Sequence, residues 1–144
     1  MLVDFSKAYD LVAFDYILEC LKFVNFGNTF IGYIKTILNG RTGSIFFNGQ
    51  TSSNFNFESG SPQGDLISPS LFVICLEPLL IRLLLDEEIE RVRTIEGDTL
   101  DINVAYADDD STLVQNSREN LEKVTNIFNE FEMISGLSLN KKKP

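Results

Sequence analysis

Two short apolar runs, Ile102 to Tyr106 and Thr112 to Val114, are joined through Ala107-Asp108-Asp109-Asp110, and no other stretch constrains the chain as much. Runs this short, separated this way, predict an antiparallel hairpin whose turn is crowded with carboxylates. A second aspartate stands at the end of a short buried strand, Leu2-Val3-Asp4-Phe5. Strand ends in one sheet can converge, so Asp4, Asp108 and Asp109 can meet although nearly the whole sequence separates them.

Between these strands the apolar spacing is mostly helical. Ile17, Leu18, Leu21 and Val24 predict one core-facing helix closed by Gly27. Phe30, Ile31, Ile34, Ile37 and Leu38 predict a second, from about Thr29, with Gly40 as its stop. From Gly43 the pattern changes to Ser-Ile-Phe-Phe, then Asn48-Gly49, then the alternating Phe55-Asn56-Phe57-Glu58, which predicts a tight hairpin. Gly60, Pro62, Gly64 and Pro69 mark residues 59–69 as a loop, and Pro69 suits the first turn of a long apolar helix reaching about Leu85. The acidic run from Asp86 to Glu90 reads as the solvated end of that helix. Ser117 caps a last helix with Leu121, Val124, Ile127, Phe128 and Phe131 inward, and Gly136 ends it before a strand at Leu137 to Leu139. No repeat, linker or low-complexity segment marks a domain boundary, so one α+β domain over residues 1–144 is expected.

With 144 residues and 44% hydrophobic side chains, the chain can bury one core. It has no run of the ~18 uninterrupted apolar residues that span a membrane. Its N-terminus lacks the basic-then-apolar layout of a signal peptide, which predicts a soluble, intracellular protein with no membrane partner. Cys20 and Cys75 lie within apolar runs, where a thiol acts as a small buried hydrophobe rather than a ligand or disulfide partner.

The absence of histidine excludes a Ser-His-Asp triad, a Cys-His pair and His-ligated zinc. Carboxylate chemistry remains. Asp4, Asp108 and Asp109 together would make a hard oxygen cage suited to Mg²⁺, and two such ions could orient a 3′-hydroxyl and stabilise leaving pyrophosphate. The plainer alternative is that aspartates are ordinary turn formers and helix N-caps. Against a nucleic-acid partner stands the charge, since 21 acidic and 12 basic residues leave −9, which repels phosphate backbones.

Four segments occur in one order: Asp4-Phe5-Ser6-Lys7-Ala8-Tyr9-Asp10, Ser61-Pro62-Gln63-Gly64-Asp65, Tyr106-Ala107-Asp108-Asp109 and Ser135-Gly136-Leu137-Ser138-Leu139-Asn140. They resemble motifs A, B, C and D of reverse transcriptases, and the first is most similar to the form found in non-LTR (LINE-type) retrotransposons. The resemblance implies a ferredoxin-like polymerase palm, an antiparallel sheet backed by helices, whose fingers and thumb normally belong to the same polypeptide and are missing from motifs A to D. Those basic parts would account for the negative charge of the palm.

It implies further that Asp4 and Asp108 bind two Mg²⁺ ions, for which Mn²⁺ can substitute, with Asp109 as a third carboxylate and the Phe5 carbonyl as an added ligand. Tyr9 falls where the family places the aromatic under the sugar, against a 2′-hydroxyl; a core tyrosine is the alternative. Backbone amides from Ser6 through Lys7 and Ala8 to Tyr9 would cradle the triphosphate. Gln63-Gly64 would lie over the incoming nucleotide, and Lys143 matches a motif D lysine that protonates pyrophosphate, although it lies in a lysine run at the chain end. Leu66-Ile67-Ser68-Pro69 departs from the Pro-Leu-Ser-Pro usual after motif B. The implied partners are an RNA template, a DNA primer and deoxynucleoside triphosphates, and the segment alone is expected to be inactive. Rival readings are a non-catalytic relic or interaction module that keeps the palm fold, and a two-metal nuclease.

Overall fold

In chain order the first half contains β1 (Leu2–Ser6), α1 (Ala8–Leu11), α2 (Phe14–Phe23), α3 (Asn28–Leu38), β2 (Thr42–Gly43), β3 (Phe46–Phe47), β4 (Gln50–Thr51) and β5 (Phe55–Asn56). The second half contains α4 (Ser68–Leu85), β6 (Val92–Arg93), β7 (Thr99–Leu100), β8 (Ile102–Tyr106), β9 (Asp109–Leu113), α5 (Arg118–Ser135) and β10 (Ser138–Leu139). This computed structural model describes residues 2–6, 8–61, 64–93, 99–100, 102–106, 109–113 and 117–139. Helices and antiparallel sheets make it an α+β fold. Its main sheet has the order β10-β1-β9-β8, so the first strand of the chain is central and the last lies at an edge. All its neighbouring strands run antiparallel.

The core lies between this sheet and α2, α4 and α5. Phe5 of β1 is buried and meets Phe128 and Phe131 of α5, ring centroids 6.3 and 6.0 Å apart. In α4, Leu71, Phe72, Cys75, Leu76, Leu79 and Leu83 form the buried stripe, spaced to fall on one helical face. Each such large apolar side chain contributes roughly 1.5–3 kcal/mol on leaving water. By length and composition α4 could cross a membrane, at 18 residues with mean hydropathy 1.8, but Glu77 and Arg82 interrupt it and α2 and α5 pack against it. Both cysteines are free and buried, as their apolar settings predict.

Several expectations need correction. α2 ends at Phe23, short of Gly27, because Asn25 takes the left-handed conformation at φ 62°, a turn that asparagine tolerates. Gly27 instead opens α3 as its N-cap, and Val24 is exposed. Ile37 sits at the rim of the α3 stripe and is exposed, leaving Ile34 and Leu38 as the buried pair. Along α5 the expected stripe is buried at Val124, Ile127, Phe128 and Phe131 and differs only at its first position. Asn120 is buried there and Leu121 is exposed. A buried asparagine fits because its amide accepts from the Glu90 N–H at 2.9 Å and donates to the Glu90 carbonyl at 2.8 Å, satisfying both ends. That contact, with buried Ile89, makes the acidic run after α4 part of the packing rather than a wholly solvated end.

The predicted hairpin is two nested ladders, β3 with β4 around Asn48-Gly49 and β2 with β5 outside them. Positive φ at both turn residues, 48° and 79°, is what an Asn-Gly hairpin turn requires. The pairing of β6 with β7 had no strong signal in the sequence.

Candidate active site

β9 starts at Asp109, not at Thr112, so Asp109 and Asp110 belong to a strand and not to its turn. The reason is pairing on both sides. Asp109 is the Cα partner of Asp4 in β1 and of Tyr106 in β8, and Asp110 faces Val3 and Ala105. Asp4, Asp109 and Tyr106 therefore stand abreast on three adjacent strands, which brings motif A and motif C together. Asp108, Lys7, Gln63 and Lys143 lie outside the described residues.

Motif A leaves the sheet through Ser6, the register partner of Ser138, while the preceding Phe5 pairs with Leu139 of motif D. The chain is already helical at Ala8, so the expected irregular turn from Ser6 to Tyr9 becomes, from Ala8 on, the short α1. Tyr9 on α1 is half-buried, its ring 5.0 Å from that of Phe72 and tilted by 40°. One face of Tyr9 is thus supported by α4.

The turn from Tyr9 to Ala13 gathers the other motifs. From the motif B side, the Ser61 N–H donates to the Tyr9 carbonyl at 2.7 Å, the Gly60 N–H to the Val12 carbonyl at 2.9 Å, and the Ser59 hydroxyl to the Asp10 carbonyl at 2.9 Å. Gly60 has φ +82°, and a Cβ placed on it would stand 2.6 Å from the Asp10 oxygen and 2.8 Å from the Tyr9 oxygen. Only glycine fits both the conformation and the approach. From the motif D side, the Ala13 N–H donates to the Ser135 carbonyl at 2.8 Å. Gly136, at φ +76°, closes α5 so near the turn that a Cβ would lie 2.9 Å from the Leu11 oxygen.

Arg41 completes this cluster. Its Nη1 donates to the Gly60 carbonyl at 2.8 Å, and its guanidinium lies 4.8 Å over the Phe57 ring. A cavity of about 450 Å³ opens here, lined by Asp10, Arg41, Phe57, Ser59, Gly60 and Ser61. Ser61 is buried, and its hydroxyl has no hydrogen-bond partner among the described residues. Gly64, by contrast, has φ +85° and, among the described residues, nothing near where a Cβ would go, so it answers to backbone conformation rather than to a close contact with them. Asp65 turns the loop into α4 by accepting from the Ile67 N–H at 3.3 Å.

Neither Arg41 nor the pairing of Gly60 with the 9–13 turn was legible from the sequence. Gly60 reads there as one of several loop residues and Gly136 as a helix stop. The available signal was a glycine three residues before the Gln-Gly of motif B, which spacing alone does not connect to residue 10.

The antiparallel sheet thus brings two aspartate-bearing strands side by side, next to a turn on which two distant loops converge. The chain belongs to the reverse transcriptase (RNA-dependent DNA polymerase) family, which it matches over residues 1–144. It is 31% identical over 107 residues to the transposon TX1 uncharacterized 149 kDa protein of Xenopus laevis, an alignment covering 74% of this chain and 8% of that protein. It is 30% identical over 141 residues to the retrovirus-related Pol polyprotein from the type-2 retrotransposable element R2DM of Drosophila melanogaster, covering 98% of this chain and 13% of that one. The resemblance drawn from the four motifs, including its non-LTR character, stands with these relatives. The chain spans a small part of the length of each.

Proposed function

We propose that residues 1–144 form the ferredoxin-like palm of a non-LTR reverse transcriptase, which adds deoxynucleotides to a DNA 3′ end on an RNA template. The observation that carries this reading is the register of Asp4 against Asp109, combined with membership of the family. The order β10-β1-β9-β8, with α4 and α5 beside the sheet, supports the palm architecture.

The donor chemistry fits a divalent cation, since β1 and β9 bring aspartates of two motifs side by side and carboxylate oxygens suit Mg²⁺ or Mn²⁺. Asp4 and Asp108 would hold two ions, with Asp109 adding charge and the Phe5 carbonyl a further oxygen. When bound, such ions supply Lewis-acid activation of the 3′-hydroxyl and offset charge on the leaving pyrophosphate. Tyr9, backed by Phe72, holds the sugar and opposes a 2′-hydroxyl. Backbone amides of Ser6, Lys7, Ala8 and Tyr9 orient the triphosphate, Gln63 and Gly64 cover the nucleotide, and Lys143 Nζ gives a proton to pyrophosphate. Fingers and thumb, supplied by the same polypeptide, hold the template and primer; the much greater length of the relatives supports this. The protein acts inside the cell.

Primer extension by the full polypeptide carrying these residues tests the reading. Extension that needs an RNA template, deoxynucleotides and Mg²⁺ is expected. Cleavage of nucleic acid without nucleotides would favour a nuclease, and the absence of metal-dependent chemistry a non-catalytic module.

A further inference from the structure

We propose that Arg41 is a positioning residue for sugar selection: by holding the Gly60 carbonyl it clamps the motif B loop onto the turn that carries Tyr9. This rests on the reading of Tyr9 given above.

Gly60 is pinned at both ends. Its N–H is committed to Val12, its carbonyl to Arg41, and a Cβ placed on it would collide with the Asp10 and Tyr9 backbone. The next amide, Ser61 N–H, holds the Tyr9 carbonyl at 2.7 Å. A displacement of Gly60 therefore acts directly on Tyr9. Arg41 is well placed to prevent one, because it is itself fixed twice. Its carbonyl accepts from the Phe57 N–H at 3.0 Å beside the β2–β5 ladder, and its guanidinium packs over the Phe57 ring. The planar group can stack and donate at once, which an ammonium group does less well.

The cavity beside this contact gives the loop room to move if the bond is lost, since the buried Ser61 hydroxyl has no hydrogen-bond partner among the described residues to restrain it. On the other side, Phe72 supports the Tyr9 ring. Tyr9 is thus held between a helix it packs on and a loop that Arg41 keeps closed. Removing Arg41 leaves the first support and releases the second.

Two measurements on Arg41→Met and Arg41→Lys test the clamp. In the first, hydrogen exchange at the Gly60 and Ser61 amides of the full chain should quicken at least about tenfold in Arg41→Met, with α5 protection unchanged, and recover largely in Arg41→Lys, which keeps a donor. In the second, single-nucleotide addition by the full polypeptide, Arg41→Met should raise kcat/KM for ribonucleotides relative to deoxyribonucleotides by about fivefold or more. Unchanged exchange would overturn the clamp. Faster exchange with an unchanged sugar ratio would overturn the positioning role. If the parent polypeptide extends no primer, the polymerase reading fails on its own account, and the exchange result still decides whether Arg41 holds the loop.

Discussion

Asp4 of β1 and Asp109 of β9 are Cα partners in one antiparallel ladder, although almost the whole chain runs between them. Removing one charge at this place should cost chemistry without cost to nucleic-acid binding. Asp4→Asn and Asp108→Asn are expected to lower primer extension by at least tenfold, a barrier increase of about 1.4 kcal/mol or more. Asp110→Asn, facing Val3 and Ala105, should fall much less. Single-turnover rates with template binding measured in parallel decide it, and equal losses at Asp4 and Asp110 would refute the assignment.

Tyr9 lies against Phe72, so its substitution should have two separable effects. Tyr9→Val should shift the ratio of ribo- to deoxyribonucleotide kcat/KM towards the ribonucleotide, because less bulk opposes the 2′-hydroxyl. It should also reduce stability by roughly 1–3 kcal/mol through the lost aromatic packing. A stability loss with an unchanged ratio would make Tyr9 a core residue and nothing more.

Gly60→Ala should be among the most damaging single-methyl additions in the chain. Its φ of +82° is unfavourable for alanine, and the new Cβ would meet Asp10 and Tyr9 backbone atoms at 2.6–2.8 Å, which cannot swing aside as a flexible side chain would. The combined cost should exceed about 2 kcal/mol in urea unfolding. Gly64→Ala, with a positive φ but no described residue near the new Cβ, should cost about 1 kcal/mol.

A further prediction concerns alkaline pH. Burial, then a hydrogen bond with Cys20, raises the Tyr16 phenol well above its ordinary value. A hydrogen bond with Cys20, then burial, does the same for the Cys75 thiol. Both folded-state values lie above the unfolded ones, so the stability from these neutral groups is complete below the ordinary thiol and phenol values of 9.0 and 10.0 and is lost as pH rises beyond them. Cys20, lowered first by the bond from Cys75, offsets part of that loss. The urea midpoint should drop between neutrality and about pH 10.5, and drop less in Tyr16→Phe, which at neutral pH should lose about 1 kcal/mol with its 3.0 Å bond to the Cys75 carbonyl. An equal alkaline drop in both proteins would remove Tyr16 as a cause.

The helices α2 to α5 and the strand at Asp4 were legible because apolar spacing and glycine or proline punctuation report local geometry. Four motifs in order were legible for the same reason, as contiguous segments. What escaped was set by partners distant in sequence. Asp109 and Asp110 looked like turn residues because composition favours turns for aspartate, yet pairing with Asp4 and Tyr106 on either side draws Asp109 into a strand. Leu121 looked buried and the inward place of Asn120 went unread because hydropathy ignores the Glu90 peptide that satisfies the Asn120 amide. Arg41 carried no signal, since its role depends on a carbonyl nineteen residues away.

The position of α4 in the chain has a consequence for synthesis. This helix has the length and mean hydropathy of a membrane span, and part of its cover comes from α5, which follows it by more than thirty residues. Until residue 135 has left the ribosome that flank stays open to water, and chaperones or a bilayer can compete for it. A translation stop between Leu85 and Arg118 would therefore release a chain whose longest apolar helix lacks its last neighbour, and such a product should be found in membranes or aggregates rather than in solution.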